Sequence, residues 1–326
     1  MGNRQIQAIQ LERGMNPETC MACGSSKFSI DPTSSERFCL VQCAGCGVGF
    51  TKPKPTREDL EKHYSQTYYG PENVKFLPVL EKIVIWMAKR RARWIDKRIR
   101  PRSRVLEIGC GRGVLLEALS HLGHECHGTE RSDLAATRAQ RVVGIKVYTD
   151  PLEQCGLREN YFDVVILWHV LEHLENPVPT LTHISNLLGP HGILILEVPN
   201  VWSWQARLTG KHWFHLDIQR HLYHFSAQGL NKLLERNGFL IIKITTFSWE
   251  QCPFGALQSF LNCLGLQPQT FYKLLKRELS LPFSSKLFHY SLAGLSFLPA
   301  TLLAGLESLA GRGGVIRVIT QKQSAH

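Results

Sequence analysis

The sequence has no apolar signal segment near its amino terminus, no internal repeat and no low-complexity tract. The missing signal segment predicts a cytoplasmic protein, and the missing repeats exclude a solenoid or fibrous chain. Charged residues make up 20% of the chain and hydrophobic residues 44%, which excludes intrinsic disorder. At 326 residues the chain is long enough for one α/β core with one or two appended pieces.

Acidic residues are also scarce. The chain has 27 Asp and Glu but 38 Lys and Arg, which gives a formal net charge of +11. Such an excess of positive charge is compatible with binding to nucleic acid, with binding to anionic lipid, or with solubility alone. Nine basic residues lie between Lys89 and Arg104, opposed by Asp96 alone. A solvated helix face explains this run as well as a binding surface does.

Three glycines at alternate positions follow the short apolar run Arg104–Ile108. The run predicts one buried strand, and the apolar residues after Gly113 predict a helix start. Glycine permits positive φ and leaves no Cβ between the main chain and a ligand at the helix amino terminus. The dinucleotide fingerprint G-x-G-x-x-G is one residue longer than the spacing of Gly109, Gly111 and Gly113. A pyrophosphate is therefore not the expected ligand.

The turn resembles motif I of the class I S-adenosylmethionine-dependent methyltransferases, whose acidic residue two positions before the first glycine corresponds to Glu107. The resemblance extends to Glu130, about 20 residues on, where a carboxylate can accept both ribose hydroxyls. It also extends to residues 162–169, which are similar to motif IV, beneath the methionine end of the cofactor. An α/β fold without a cofactor is the alternative. The resemblance implies S-adenosylmethionine as cofactor, bound by Glu107, Gly109, Cys110, Gly111, Gly113, Glu130, Trp168 and His169.

Strands and helices alternate in the pattern after residue 101. This alternation predicts a Rossmann-like α/β fold, with a mostly parallel sheet covered on both faces and ligands at the carboxyl ends of its strands. The family resemblance implies that the last strand is antiparallel. Predicted strands are 104–108, 124–129, 145–149, 162–167, 192–198, 240–247 and 315–320. Predicted helices are 74–99, 113–122, 132–142, 177–188 and 226–238.

Two C-x-x-C pairs, Cys20 with Cys23 and Cys43 with Cys46, are nineteen residues apart. This spacing is typical of a zinc ribbon, and four cysteines close the tetrahedral shell of one structural zinc ion. A segment of about 35 residues cannot bury enough core to fold unaided, so the metal is expected to supply much of its stability.

The predicted domain order is a zinc ribbon (17–50), a linker with an N-terminal helix (51–100), a cofactor-binding catalytic domain (101–250), a helical insertion (251–312) and a final strand (313–321). This order resembles that of bacterial methyltransferases of sugars and of glycan or lipid precursors, which have a ribbon, a Pro-x-Pro linker and a Tyr-rich segment before motif I. In that family a linker tyrosine reaches the active site. Tyr64, Tyr68 or Tyr69 could do so here, or all three could pack on the catalytic domain.

The candidate base is a histidine, because imidazole titrates near neutral pH and can take a proton from a hydroxyl or carbon acceptor. Residues 219–226 resemble the segment of the sugar C-methyltransferases that carries their catalytic His, and His221 falls on that position. Arg220 stands where that family has Glu. His173, beside Glu172 in the motif IV segment, is the second candidate base.

The motif IV segment also fits H-x-x-E-H, the zinc pattern of a metalloprotease family, through His169, Glu172 and His173. That pattern needs a helix that holds both histidines on one face. Pro177 follows too closely for such a helix, and a buried strand runs straight into the segment. A protease is therefore not expected.

The insertion contains residues 287–306, which carry no formal charge. Twenty apolar residues can nominally span a bilayer, but Pro299 predicts a break into two short helices. A span would also separate the final strand from its sheet. Two alternatives stay open, namely packing on the domain or a partner subunit, and lying in a membrane interface. In the membrane case the basic residues near lipid phosphates would be Lys273, Lys276, Arg277 and Lys286.

The expected function is S-adenosylmethionine-dependent methyl transfer to a small or lipid-linked acceptor, such as a sugar, glycan or polyprenyl precursor, with peripheral membrane contact through 251–312. The net charge and the ribbon favour an RNA methyltransferase as the alternative. Against it, Leu167-Trp168-His169 replaces the Asn- or Asp-Pro-Pro-aromatic sequence of many base N-methylating enzymes. A non-catalytic zinc-ribbon scaffold is the second alternative.

Overall fold

The computed structural model describes residues 19–30, 38–56, 58–59, 76–265 and 267–323. The candidate tyrosines of the linker lie outside these ranges. The strands are β1 (Phe28–Ile30), β2 (Cys39–Cys43), β3 (Gly49–Lys52), β4 (Arg104–Ile108), β5 (Glu125–Thr129), β6 (Ile145–Tyr148), β7 (Phe162–Trp168), β8 (Leu188–Pro199), β9 (Tyr223–His224), β10 (Phe239–Thr245) and β11 (Val315–Lys322). The α-helices are α1 (Pro78–Asp96), α2 (Val114–Ser120), α3 (Asp133–Ala139), α4 (Pro177–Leu187), α5 (Trp204–Thr209), α6 (Ala227–Arg236), α7 (Cys252–Cys263), α8 (Thr270–Leu275) and α9 (Phe283–Leu309).

A seven-stranded sheet forms the centre of the molecule, in the order β10-β11-β8-β7-β4-β5-β6. Strands β4 to β8 pair in parallel, and β11 is antiparallel to both β8 and β10. The predicted Rossmann-like α/β fold with an antiparallel last strand is confirmed. The carboxyl ends of β4, β5 and β7 meet at one edge, so the turns that follow them form one site.

The central strands are continuous apolar runs because helices cover both faces of the sheet. In β7, for example, Val164, Val165, Ile166 and Leu167 are at most 1% exposed. Helix α1 covers β7 and β8 through Ala92 and Ile95, which share a core cluster with Ile166. The long helix predicted over 74–99 therefore covers one face of the sheet together with α2.

The ribbon strands join a second, four-stranded antiparallel sheet in the order β1-β2-β3-β9. Its last strand comes from the far end of the catalytic domain, since Gly49 pairs with His224 and Phe50 with Tyr223. Val48 packs on α6 so closely that a Cβ at Gly229 would lie 2.2 Å from its Cγ2. The ribbon and the catalytic domain share one hydrophobic core. The ribbon is therefore packed on the catalytic domain rather than isolated from it.

The insertion consists of α7, α8 and α9. The predicted break at Pro299 is wrong, because α9 continues through it. Proline inside a helix costs about 3 kcal/mol. Packing offsets this cost, since Ala293 before the proline and Ala300 after it are both buried against α7.

Candidate functional site

The turn after β4 is shaped for the close approach of a ligand. Gly109 and Gly111 have φ of 70° and 54°, in the left-handed region that favours glycine. The Gly109 amide donates to the Thr129 carbonyl at 2.8 Å, which fixes the turn against the end of β5. A Cβ at Gly109 would lie 2.7 Å from Val170, whereas one at Gly111 would meet nothing within 4 Å. The open side of the turn is therefore at Gly111.

The two other predicted residues of this turn face the protein. Gly113 has φ of 75° and caps α2, and a Cβ there would lie 3.1 Å from Ala139. The Cys110 side chain is 7% exposed and packs on Gly128 of β5. Only the backbone of Cys110 can therefore meet a ligand.

Glu130 lies across the turn, at the end of β5. Its Oε2 accepts from the Gly111 amide at 2.9 Å and its Oε1 from the Ser132 amide at 2.8 Å. Burial raises the pKa of Glu130, while these amide donors oppose the shift. Each carboxylate oxygen has a second lone pair, so the fixed carboxylate can also accept from a pair of ligand hydroxyls.

Glu107 provides a buried acceptor that lacks a partner. The side chain is 4% exposed, and its Oε2 has no hydrogen-bond partner in the described part of the chain. Burial raises the pKa of Glu107 to about 8, although the Arg91 charge opposes this. A buried carboxylate oxygen without a donor is costly, which indicates that a ligand donor completes it.

The sequence places Arg91 in a basic run that a solvated helix face would explain, but in the structure its side chain is only 16% exposed. Its guanidinium pairs with Glu250 and lies 4.1 Å from the Trp168 ring centroid. Burial lowers the pKa of Arg91 to about 10, so the group stays charged at neutral pH. Its Nε is buried without a partner in the described part of the chain. Arg91 can therefore donate to an anionic ligand group beneath the turn.

Trp168 ends β7 beside two cations. Arg317 lies 4.6 Å from its ring centroid, in addition to the Arg91 contact, and Arg317 Nε donates to Glu197 Oε2 at 2.7 Å. The Trp168 side chain is 9% exposed. Its predicted contact with the cofactor stays a prediction.

His169 is held by two buried carboxylates. Its Nδ1 lies 3.2 Å from Glu172 Oε1 and its Nε2 lies 3.2 Å from Glu197 Oε1. Burial alone would lower the pKa of His169, but the bonds to both carboxylates outweigh it and raise the pKa to about 9. His169 is therefore a fixed imidazolium at neutral pH, which cannot accept a proton.

The stability of the protein is expected to fall between pH 6.5 and about 9 as His169 loses its proton. A raised histidine pKa stabilises the fold fully below its unfolded value, and the contribution is lost as the pH rises through the folded value. The difference between pKa values of 6.5 and about 9 corresponds to roughly 3–4 kcal/mol. Urea unfolding near both ends of this range should show the loss. His169→Gln should show a flatter dependence, and an equal slope in both proteins would contradict this assignment.

The structure brings the two candidate bases together. Their ring centroids lie 4.7 Å apart. Nδ1 of His221 lies 3.1 Å from the His215 carbonyl, and Nδ1 of His173 lies 3.1 Å from the Arg220 carbonyl. A carbonyl only accepts, so each neutral ring carries its hydrogen on Nδ1 and its lone pair on Nε2. Burial, followed by the neighbouring His173, lowers the pKa of His221 well below its usual value.

Glu172 completes this cluster. It is 1% exposed and its Oε2 has no partner in the described part of the chain, while donor atoms of Glu172, His173 and His221 lie within 4.8 Å of one another. The three groups can relay a proton or hold a metal ion. Arg220, which replaces the family's Glu, instead pairs with Asp217.

The ribbon holds the segment that carries His221. Thr51 Oγ1 donates to the His221 carbonyl at 2.6 Å and lies 3.1 Å from His224 Nε2. The Thr51 amide donates to the Leu222 carbonyl at 3.1 Å. The position of the candidate base thus depends on β3 of the ribbon.

The four ribbon cysteines lie at metal-binding distances. Cys20 Sγ is 3.6 Å from Cys46 Sγ, and Cys23 Sγ is 3.5 Å from Cys43 Sγ. All four sulfurs lie within 4.8 Å of one another. Tetrahedral zinc with sulfur at about 2.3 Å requires sulfurs about 3.8 Å apart, so the set fits one zinc ion.

A cavity of about 600 Å³ lies between the ribbon and the segment after β8. Trp213 lines it and packs on His215, which in turn stacks on His169 at 6.3 Å between ring centroids. The cavity is therefore two side chains away from the imidazolium, and its lining does not include the glycine turn. Its lining residues are Leu40, Gln42, Val201, Trp202, Ala206, Arg207, Gly210, Trp213, Leu216 and Arg312.

Sequence reasoning missed His215, which is 7% exposed in the middle of the site. Burial, followed by the charge of His169, lowers the pKa of His215 to about 3. Its Nε2 is buried without a partner in the described part of the chain. The only sequence signal for it was the density of aromatic and histidine residues after Asn200.

The comparisons with known proteins concern the part of the chain that carries this site. Residues 85–244 match a family model described as a methyltransferase domain. The ubiquinone biosynthesis O-methyltransferase of Cereibacter sphaeroides is 33% identical over 126 residues, which are 34% of this chain and 47% of the relative. The protein of the same name from Bradyrhizobium diazoefficiens is 32% identical over 108 residues, or 32% of this chain and 42% of the relative.

The chain thus spans about half the length of the curated relatives it matches. Among solved structures, one from Thermotoga maritima is described as a SAM-dependent methyltransferase, possible histamine N-methyltransferase. It is 17% identical and aligns with 82% of this chain and 97% of its own, with a TM-score of 0.47.

Proposed function

We propose that the chain, whose residues 85–244 match a family model described as a methyltransferase domain, uses S-adenosylmethionine to methylate a hydroxyl group of a small or lipid-linked acceptor, such as a sugar, glycan or polyprenyl precursor. The observation that carries this proposal is the pair of histidines, His173 and His221, in and beside the turn that follows β7. The matched relatives are named for O-methylation.

The residues around the glycine turn fit the cofactor. Glu130 would hold the ribose hydroxyls, the unpartnered Oε2 of Glu107 would accept from the amino group, and the unpartnered Nε of Arg91 would donate to the carboxylate. When bound, S-adenosylmethionine supplies an electrophilic methyl group together with its own leaving group. The chain then has to position the acceptor, exclude water and remove a proton.

We assign proton removal to His221. Its Nδ1–H is fixed by the His215 carbonyl, so Nε2 presents a lone pair to the acceptor hydroxyl. The lowered pKa keeps the ring neutral at physiological pH. The buried Oε2 of Glu172 would stabilise the imidazolium that forms on His221. His169 cannot replace His221, because both of its nitrogens are held by carboxylates.

The cavity beside the ribbon supports an amphiphilic acceptor. Its walls include the indoles of Trp202 and Trp213, which suit an apolar or sugar moiety. Arg207 and Arg312 are exposed at its lining and can pair with a phosphate. This combination supports a lipid-linked or phosphorylated substrate.

Two measurements test the proposal. Calorimetry with S-adenosylmethionine should detect binding, whereas a non-catalytic scaffold that has lost its site would show none. Incubation with the cofactor and candidate acceptors should then add the mass of one CH₂ group to a product, detected by mass spectrometry. If only RNA is methylated, and binding weakens steeply with salt, the RNA alternative replaces the present one.

Glu130→Ala is expected to weaken S-adenosylmethionine binding by about 1.5–3 kcal/mol, the scale of hydrogen bonds to a charged acceptor. The variant loses the ribose acceptor and also the carboxylate that receives the Gly111 amide. Calorimetry measures the change. Glu159→Ala, which removes an exposed carboxylate elsewhere, should bind like wild type. Equal affinity of wild type and Glu130→Ala would contradict the assignment.

A further inference from the structure

Helix α9 (Phe283–Leu309) presents an apolar face to the outside of the molecule. Its 27 residues extend over about 40 Å. No charged residue lies between positions 287 and 306. The outward side chains follow helical spacing and are 53–87% exposed: Leu287, Phe288, Leu295, Leu298, Leu302, Leu306 and Leu309.

The inward face of α9 carries small and polar residues instead. Ala293 and Ala300 pack against α7, and the buried Glu307 accepts from the Gln205 amide at 3.0 Å. On α7, the buried side chains of Gln258 and Asn262 bond to each other at 2.9 Å. A helix on a water-facing surface normally shows the opposite arrangement. Helices in contact with lipid show this pattern, with small residues where two helices touch and large apolar residues on the outward face.

In the described part of the chain, α9 is the one helix long and apolar enough to cross a membrane. Contacts at both of its ends exclude a crossing. At its carboxyl end, Ser308 Oγ donates to the Thr246 carbonyl at 3.2 Å. Near its amino end, the Tyr290 ring packs on Phe271 of α8, and α8 contacts the catalytic domain through the Tyr272 ring on Phe214. Both ends therefore lie on the side of the catalytic domain, so the helix can only lie in the plane of a membrane.

Cations flank the apolar face. Lys273 and Arg277 are exposed in and just after α8, and Arg312 is exposed three residues beyond α9. Lys286 is half-buried on the first turn of α9. The expectation for Lys276 is wrong, because its side chain is 5% exposed and pairs with Glu278. An apolar face flanked by exposed cations is complementary to an anionic bilayer, which offers acyl chains and phosphates together.

We propose that α9 lies in the plane of an anionic lipid bilayer, with its outward apolar face in contact with the lipid. The proposal goes beyond the methyl transfer and does not depend on it, because vesicle binding is measured without cofactor or acceptor. Arg312 also lines the cavity beside the ribbon. Docking would therefore bring this cavity to the bilayer surface.

The test is flotation of the full-length protein with vesicles of phosphatidylcholine and phosphatidylglycerol at low salt. We expect wild type to float, and the bound-to-free ratio of Leu295→Glu/Leu302→Glu to fall at least about tenfold. Both changes keep good helix formers on exposed positions, so the fold should persist, as circular dichroism and zinc content can verify. Val143→Glu, which removes a 92% exposed apolar side chain near the opposite edge of the sheet, should float like wild type.

Three results would overturn the proposal. The first is wild type that stays at the bottom with anionic vesicles at low salt. The second is a double variant that floats as well as wild type. The third is a wild-type dimer in sedimentation analysis that Leu295→Glu/Leu302→Glu converts to monomer, because the face would then be a subunit interface. Lys273→Gln/Arg277→Gln should weaken binding to anionic vesicles only, and unchanged binding would likewise contradict the anionic part.

Discussion

Turnover of the His221→Ala variant is expected to fall about 10²–10⁴-fold, while its dissociation constant for S-adenosylmethionine stays within about twofold of wild type. A general base acts in the transition state, so its loss lowers kcat without weakening the cofactor complex. His221 contacts the other histidines rather than the glycine turn or Glu130. Single-turnover kinetics and calorimetry on the same preparation measure the two quantities.

The variants of neighbouring histidines distinguish a base from a structural residue. Added imidazole should partly restore turnover in His221→Ala, which a merely structural role would not produce. The zinc content of His221→Ala should equal that of wild type, whereas loss of a metal ion would indicate a metal site at Glu172, His173 and His221. Normal turnover in His221→Ala with an inactive His173→Ala would transfer the role to His173.

Cys43→Ser is expected to lose zinc and to abolish turnover, while cofactor affinity changes little. Zinc binding to small cysteine sites supplies about 10–16 kcal/mol, comparable with the whole stability of a domain. Loss of the ion would release β3, and with it the bonds from Thr51 to the His221 segment. The glycine turn and Glu130 are held by hydrogen bonds to each other and to the end of β5 rather than to the ribbon. Metal analysis, turnover and calorimetry should separate these effects.

Cys39→Ser is the matched control, because Cys39 lies on β2 with Cys43 but outside the cluster of four sulfurs. It should keep its zinc and its turnover. Finding no zinc in reductively purified wild type would contradict the metal site. Full turnover in Cys43→Ser would contradict the support that the ribbon gives to His221.

Features encoded by short spacing were predictable from the sequence. The strand, glycine turn and helix around Gly109 depend on a few consecutive residues, and the fold built on them is confirmed. The two C-x-x-C pairs likewise predicted the cluster of four cysteines that the structure contains. Glu130 was located by its distance along the chain from the turn, since a βαβ unit fixes that distance.

Features that depend on packing between distant segments were not predictable. Arg91 belongs to a basic run, and only the docking of α1 on the sheet shows that its guanidinium lies over Trp168 and pairs with Glu250. The clamp on His169 needs Glu197 from β8, and Arg317 from β11 in turn holds Glu197. The predicted break at Pro299 was wrong because local helix propensity takes no account of the alanines that pack on either side of it.

The pairing of β3 with β9 also sets an order of events during synthesis. Thr51 leaves the ribosome 170 residues before His221, whose carbonyl it binds. At about 5–20 residues per second, β3 would wait roughly 10–30 s for its neighbour, with an open sheet edge. The four cysteines are complete by position 46, so zinc can hold the locally paired strands β1, β2 and β3 together during that interval. We therefore expect the supply of metal at the nascent chain, rather than the strength of the finished sheet, to decide how much of this protein folds.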